Sequence, residues 1–562
     1  MTTTRRPFEW LNDDSRLFLS RGYLNDGQSA EDRMKDIAKE AEKTLGIDGF
    51  AEKFYDYLSK GYYSLSTPVW TNYGNSRGMP ISCFGSTPND SMSSLLYTSS
   101  EVGMMSKYGG GTSGYFGHIR PRGADITNNG KSSGSVHFLK LFEQMTDTVS
   151  QGSNRRGRFS PYLPIDHPDI SEFLDIGVEG NEIQDVNHAV TVTDDWMIEM
   201  IGGDKDKRKI WAKVIQRRVE MGYPYIFFTD TVNDNKPEWY KDYPITHSNL
   251  CSEICLPDND EWSFVCNLSS MNALHFDEWK DTDAVETMIF FLDAVMTEFI
   301  DKLEALRDSD NVDDNMSFHF MERAYNFARD NRALGLGVLG LHSLLQSKGL
   351  PFASVEASLL NENLFKTIEK QSIVATKKLA LVFGEPKVML GTGRRNSTLM
   401  AVAPTSSSAF ILGQVSQSIE PIWSNYYVKD VAKAKKTIKN HELEKLLEEK
   451  GKNSPAVWQD ILNHDGSVQH VDFLSDNEKE VFKTFQEINQ YEIINQASVR
   501  QRFIDQSQSL NIMLNPATTT AKQMNELYIY AWENGIKTLY YQHSASAAQE
   551  LSRSNVCLAC EA

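Results

Sequence analysis

Cys251 is the residue whose neighbours best equip it for chemistry. It lies in Ser248-Asn-Leu-Cys-Ser-Glu-Ile254, flanked at two-residue spacing by Asn249 and Glu253. In an extended loop that spacing puts an amide, a sulfur and a carboxylate on one side. A hydrogen-bonding group, a thiol and a base then converge on one small ligand. The remaining cysteines are Cys83, Cys255, Cys266, Cys557 and Cys560. Taken singly, Cys251, Cys255 and Cys266 also read as ordinary buried cysteines. A zinc site calls for two short pairs, and the single CxxC, Cys557-Leu-Ala-Cys560, has no second pair near it. Its plain reading is an accidental terminal pair. On a tether, however, a dithiol can enter a buried site, exchange with a disulfide there and swing out to an external reductant.

These residues need a large scaffold. The chain has 562 residues, 40% of them hydrophobic, with 10 Trp, 22 Tyr and 28 Phe, as expected of one packed body. A net charge of −19, from 57 basic and 76 acidic residues, argues against a broad nucleic-acid or membrane footprint. Neither a signal-peptide core nor a run long enough to span a bilayer occurs, so a soluble, cytoplasmic protein is expected. Apolar positions Met34, Ile37, Ala38, Ala41 and Leu45 have helical spacing, which predicts a helical N-terminal segment over 1–66. From Met79 onward short apolar runs alternate with glycine-rich loops and amphipathic stretches, an α/β pattern in which 189–193 and 224–228 read as buried strands. The Lys- and Glu-dense stretch 429–489 reads as a surface helical insertion, and 544–562 as a flexible tail.

Two glycine motifs are decoys. Gly109–Gly114 and Gly335–Gly340 both satisfy GxGxxG, but neither stands in a strand-turn-helix unit followed by the acidic residue of a dinucleotide fold. Pro404-Thr-Ser-Ser-Ser408 offers hydroxyls and amides where a helix could begin, which suits a phosphate as well as it suits an ordinary capped loop. Tyr540 and Tyr541 alone would be core aromatics.

In order along the chain, Ser66-Thr-Pro68, Ile81-Ser-Cys-Phe84, Ser150-Gln-Gly152, Asn249-Leu-Cys-Ser-Glu253, Cys266-Asn-Leu-Ser269, Leu334-Gly-Leu-Gly337, Pro404–Ser408, Ile419-Glu-Pro421 and Thr538-Leu-Tyr-Tyr-Gln542 closely resemble the catalytic subunit of class I ribonucleotide reductases. The resemblance implies a ten-stranded α/β barrel of two parallel five-stranded halves over 67–543, with Cys251 on a central finger loop. It implies a thiyl radical at Cys251 that removes the substrate 3′-hydrogen. Glu253 would be the base for the 3′-hydroxyl and Asn249 a hydrogen-bonding partner of the substrate hydroxyls. Cys83 and Cys266 would be a reducing pair that ends as a disulfide, which requires the fold to bring their Cα atoms within roughly 7 Å.

By the same resemblance Tyr540 and Tyr541 carry the radical inward, and Cys557 and Cys560 re-reduce the site. Thr67, Ser82, Pro404, Thr405, Ser406, Ser407 and Ser408 would line the substrate pocket. Asp90 and Arg120 would hold a deoxynucleotide or ATP effector at a homodimer interface, while Gln151 and Arg155 belong to the loop relaying effector identity. No metal is expected in this chain. The radical would come from a metal cofactor in a separate small subunit, and thioredoxin or glutaredoxin would be the reductant. The chain departs from the family at Thr127, where a further basic residue is common, with Arg122 or Lys131 as substitutes. With 66 residues before Thr67, an N-terminal ATP-cone is not expected. Two rivals remain: a cobalamin-dependent class II enzyme, and a catalytically silent nucleotide-binding subunit. The joint presence of the cysteines, Asn249 and Glu253 disfavours the second.

Overall fold

The computed structural model describes residues 6–149, 151, 157–431, 434–515 and 519–544. Helices Asp13–Leu19, Ala30–Leu45 and Phe50–Ser59 open the chain. The helix Ala30–Leu45 begins at Ser29, whose hydroxyl accepts from the Asp32 amide, and ends at Gly46 in the left-handed region. It buries Met34, Ile37, Ala38, Ala41 and Leu45, the positions read from the sequence. Arg33, on the same helix, is buried and donates to the carbonyls of Trp70, Val69 and Tyr73, tying the leading helices to the short helix Thr67–Asn72.

The N-terminal segment is not helical throughout, since Tyr63–Leu65 forms β1. Then come β2 (Cys83–Gly85), β3 (Gly111–Tyr115), β4 (Phe159–Pro164), β5 (Ala189–Val192) and β6 (Tyr225–Phe228), each parallel to the next. The second half begins with β7 (Phe264–Asn272), antiparallel to both β1 and β2, and continues with β8 (Leu334–Leu339), parallel to β7. Parallel bridges Leu336–Met400 and Val402–Gln508 extend this half. Next are β9 (Ile512–Leu514), β10 (Thr538–Leu539) and β11 (Gln542–Ser544), with β9 parallel to β11. An antiparallel pairing of β10 with β6 closes the ring. The result is a barrel of two parallel halves joined at two antiparallel seams.

Strands β5, β6, β7 and β8 are buried at every position, as expected for parallel sheet covered by helices. The long helices Ala284–Arg307 and Val355–Phe383 pack together on the outside. Glycine in β8 permits close packing: a Cβ at Gly335 would lie 2.4 Å from Leu268 Cδ2 and 3.1 Å from Cys266 Sγ. No helix among the described residues is long and apolar enough to cross a membrane.

The insertion departs from its expected form. A hairpin of Tyr426–Val431 with Ala434–Lys439 precedes helices His441–Glu449, Pro455–Asn463 and Asp476–Val481. Tyr426, Tyr427, Val428, Thr437 and Ile438 are aromatic or β-branched, and this local strand preference outweighs the lysine density that suggested helix. The insertion also has its own apolar cluster, including Leu443, Leu447, Trp458, Ile461 and Val468.

Candidate active site

The antiparallel seam between β2 and β7 sets Cys83 directly opposite Cys266. Opposed residues of an antiparallel ladder have Cα atoms about 4.5–5.5 Å apart, within disulfide reach. The two thiols have separate polar neighbours. Asn249 Nδ2 lies 3.5 Å from Cys83 Sγ, and Gln506 Nε2 lies 3.4 Å from Cys266 Sγ. Burial pushes the Cys266 thiol well above the ordinary range, the Gln506 hydrogen bond opposes that push, and the nearby Cys83 adds to it. Cys266 therefore stays a protonated thiol at neutral pH, suited to giving up hydrogen more than to acting as a nucleophile or metal ligand.

Residues 249–255 form a loop between the two halves of the barrel. Asn249, Cys251 and Glu253 are all buried. Side-chain hydroxyls from both halves seat it: Tyr162 of β4 donates to the Asn249 carbonyl at 2.8 Å, Ser509 to the Cys251 carbonyl at 2.6 Å, and Thr538 to the Ser252 carbonyl at 2.8 Å. The Ser507 amide donates to the Glu253 carbonyl at 2.9 Å. Ser252, at φ 67°, adopts the left-handed conformation that non-glycine residues rarely occupy. Asn249 Oδ1 accepts from the amides of Glu253 and Ile254, so its Nδ2 is aimed at Cys83. Ser509 Oγ also lies 3.2 Å from Glu253 Oε2.

Sequence reasoning missed the segment Gln506-Ser-Gln-Ser509. All four residues are buried in the barrel. Gln506 links Cys266, the Leu334 carbonyl and Thr398 through Nε2, while its Oε1 accepts from the Cys255 amide. The available signal was the two-residue alternation, which turns Ser507 and Ser509 together toward the loop.

Tyr540 and Tyr541 meet edge to face with ring centroids 4.4 Å apart, and Tyr225 lies 4.7 Å from Tyr540 and 5.1 Å from Tyr541. Cys251 and Tyr540 belong to one buried cluster with Tyr162 and Leu250. Tyr541 Oη accepts from Asn187 at 2.8 Å. Beside these tyrosines lies a cavity of 1610 Å³, also lined by Pro404, Ser406, Glu420 and Asn511. Burial pushes the Glu420 carboxyl up to about 7, against the hydrogen bonds of Trp423 and Asn511.

Pro404 and Thr405 lead into the helix Ser406–Ile411, which packs against β1, two residues from Thr67. Thr405 Oγ1 accepts from the Ser418 amide at 2.7 Å, Ser406 Oγ donates to Gln417, and Ser408 is buried. The buried Ser407 hydroxyl has no partner among the described residues. Thr67 Oγ1 lies 3.3 Å from Tyr23 Oη, and Ser82 Oγ lies 3.8 Å from Cys83 Sγ.

Asp90 and Arg120 form an ion pair at 2.6 Å, and Arg120 also donates to the Asp125 carbonyl. Arg122 pairs with Glu172 and Lys131 with Asp125. Gln151 donates to Asn72 at 3.2 Å and packs where a Cβ at Gly78 or Gly109 would collide with it. Arg155, Cys557 and Cys560 lie outside the described residues. Among the described residues, Asp460, His464 and His470 of the insertion bring potential metal-ligand atoms within 4.8 Å. Their imidazoles are stacked at 3.6 Å, and His470 Nε2 is 2.8 Å from the Asp460 carboxylate. Stacked rings direct their lone pairs side by side and not to a common point.

Comparison with known proteins agrees with this architecture. The ribonucleotide reductase barrel domain matches residues 81–205, 198–391 and 386–542. The class Id ribonucleotide reductase alpha subunit of Actinobacillus ureae superposes with a TM-score of 0.90 at 51% identity, covering 97% of this chain and 99% of that one. The ribonucleoside-diphosphate reductase large subunit of Invertebrate iridescent virus 3 is 31% identical over 94% of this chain and 92% of its own length. The Danio rerio large subunit is 29% identical over 88% of this chain and 70% of its own length. With its barrel, its opposed cysteines and these relatives, the chain belongs to the ribonucleotide reductase family as a class I large, catalytic subunit.

Proposed function

We propose that Cys251 is the hydrogen-abstracting thiyl of this ribonucleoside-diphosphate reductase, and that Cys83 and Cys266 are its reducing pair. The observation that carries the reading is the register of β2 on β7, which opposes the two cysteines beside the Asn249–Glu253 loop. Cys251 takes the 3′-hydrogen of the ribose, and Glu253 accepts the 3′-hydroxyl proton while Asn249 orients the hydroxyls. The 2′-hydroxyl then leaves as water. The two thiols supply two electrons, one proton to the leaving group and one hydrogen to C2′, and become a disulfide; Cys251 returns the 3′-hydrogen.

The radical arrives through Tyr541 and Tyr540 from a metal-containing small subunit. The diphosphate occupies the hydroxyl-rich turn Pro404–Ser408 with Thr67 and Ser82 nearby. An effector deoxynucleotide or ATP at a homodimer interface engages Asp90 and Arg120 once their ion pair opens, and the loop of Gln151 and Arg155 relays its identity. Cys557 and Cys560 pass electrons from thioredoxin or glutaredoxin to the spent disulfide in a cytoplasmic setting.

The test is Cys251→Ser together with Cys83→Ser, assayed with the small subunit and nucleoside diphosphate. Both variants should bind nucleotide and form no deoxynucleotide. Measurable deoxynucleotide formation by Cys251→Ser overturns the assignment.

A further inference from the structure

Tyr540 and Tyr541 share one peptide group, and side chains grip both of its polar atoms. The Tyr540 carbonyl accepts from Arg218 Nη1 at 2.9 Å. The same guanidinium donates to the Pro224 carbonyl and to Tyr528 Oη. The Tyr541 N–H donates to Asn511 Oδ1 at 3.1 Å. That contact fixes the orientation of the amide, and Asn511 Nδ2 in turn donates to Glu420 Oε1 at 2.5 Å. Glu420 Oε2 accepts from Trp423 Nε1 at 3.3 Å, and the Trp423 ring meets His543 edge-on at 4.4 Å.

From Arg218 to Glu420 the three links point the same way, guanidinium to peptide carbonyl, peptide N–H to amide and amide N–H to carboxyl, and Trp423 donates to the carboxyl from its far side. Such chains polarise one another, and a cationic donor strengthens its own bond. Arg218, Asn511 and Glu420 are all buried. Burying a cation and a carboxyl that do not touch one another costs more than a hydrophobic filling of the same space, so packing alone does not account for them. What the chain does is fix the plane of the single peptide from which both phenols, set edge to face, hang.

We propose that Glu420, acting through Asn511, and Arg218 are positioning residues that lock the peptide between Tyr540 and Tyr541, and so set the ring-to-ring geometry used in radical transfer. The proposal rests on the reading of these tyrosines as the radical relay. Radical transfer between neighbouring phenols needs their separation and tilt reproduced at every turnover, and a peptide free to rotate would give up that constancy.

The experiment compares Glu420→Met, Glu420→Gln and Asn511→Ala with the parent chain, each with the small subunit. Glu420→Met keeps volume and removes the acceptor, and Glu420→Gln keeps an oxygen for Asn511. Asn511→Ala and Glu420→Met should each lower kcat by about tenfold or more, with KM for the nucleoside diphosphate within about twofold. Glu420→Gln should remain within about threefold of the parent, a rescue that a generic packing defect would not give. Unchanged kcat in Glu420→Met or Asn511→Ala overturns the proposal, as does a raised KM with kcat preserved; if one of the two fails to fold, the other decides. Tyr540→Phe and Tyr541→Phe run alongside. Full activity of both removes the relay itself, whereas their inactivity beside a fully active Glu420→Met removes only the positioning role.

Discussion

Deleting the three hydroxyls that seat the Cys251 loop tests whether the barrel holds this loop as a rigid arm. Tyr162→Phe, Ser509→Ala and Thr538→Val each remove one donor, to the carbonyls of Asn249, Cys251 and Ser252 respectively. All three donors are buried, so water cannot replace them without a rearrangement. A buried acceptor left without its donor costs about 1–3 kcal/mol. The global fold, stable by roughly 5–15 kcal/mol, tolerates one such loss. The loop is more vulnerable, because Ser252 already sits in a disfavoured conformation that neighbouring contacts must enforce. If the penalty falls on the reactive geometry, kcat drops by about 5- to 150-fold per variant, at about 1.4 kcal/mol per tenfold. The fall should be steepest for Ser509→Ala, since that hydroxyl also lies 3.2 Å from Glu253. The assay is steady-state deoxynucleotide formation at saturating substrate, with a thermal melt of each variant. Three folded variants with kcat within twofold of the parent would refute the argument that these bonds set the loop.

Replacing either Tyr540 or Tyr541 by Phe should abolish turnover with the small subunit while nucleotide binding and the melting temperature stay close to the parent; full activity of both eliminates the pathway. Changing Cys557 and Cys560 together to Ser should leave the first turnover of a pre-reduced chain intact and stall later ones with a protein reductant, with partial rescue by a small dithiol; undiminished multiple turnover with thioredoxin or glutaredoxin excludes the shuttle. Asp293 is buried, and although burial alone would raise its pKa, Arg332 and Arg395 outweigh that and hold it down to about 2. Its contribution is therefore complete above the ordinary carboxylate pKa of 3.8 and lost as pH falls through about 2. Asp293→Asn should cost about 3–5 kcal/mol near neutrality, because it leaves two cations without their anion, and the gap to the parent should narrow as pH falls from 4 toward 2. A gap independent of pH over that range would contradict the assignment.

Local chemistry made part of the site legible. Asn249, Cys251 and Glu253 are near one another in sequence, so two-residue spacing alone suggests a shared side. The strands at 189–193 and 224–228 were readable because parallel sheet covered on both faces leaves continuous apolar runs. The Gln506–Ser509 segment was not, because four polar residues in a row look like a loop; in the structure the barrel and the Cys251 loop supply their partners. For the same reason Glu420 passed as one letter of a motif. Its significance lies in Asn511 and in the Tyr541 amide, which long stretches of sequence separate from it. The insertion misled in the opposite way, its charge density masking a hairpin whose apolar residues favour strand.

What no local signal could supply was the seam. Cys83 and Cys266 stand in separate halves of the barrel, and within either half every strand neighbour is parallel. Residues of parallel neighbours are joined by slanted, evenly spaced bonds, whereas an antiparallel pair sets two residues face to face. A directly opposed dithiol at a junction between halves therefore requires the second half to run against the first. The other antiparallel seam, β10 on β6, lies immediately before Tyr540 in the chain. One seam holds the opposed cysteines, the other leads into the tyrosines, and the Cys251 loop runs between the halves with a hydroxyl from β4 on one side and from Ser509 and Thr538 on the other. A single antiparallel sheet could oppose two cysteines equally well, but its neighbouring strands would not leave two halves between which a buried loop could pass. The division of the barrel into two parallel halves is thus what lets one short loop touch both the thiol pair and the tyrosines.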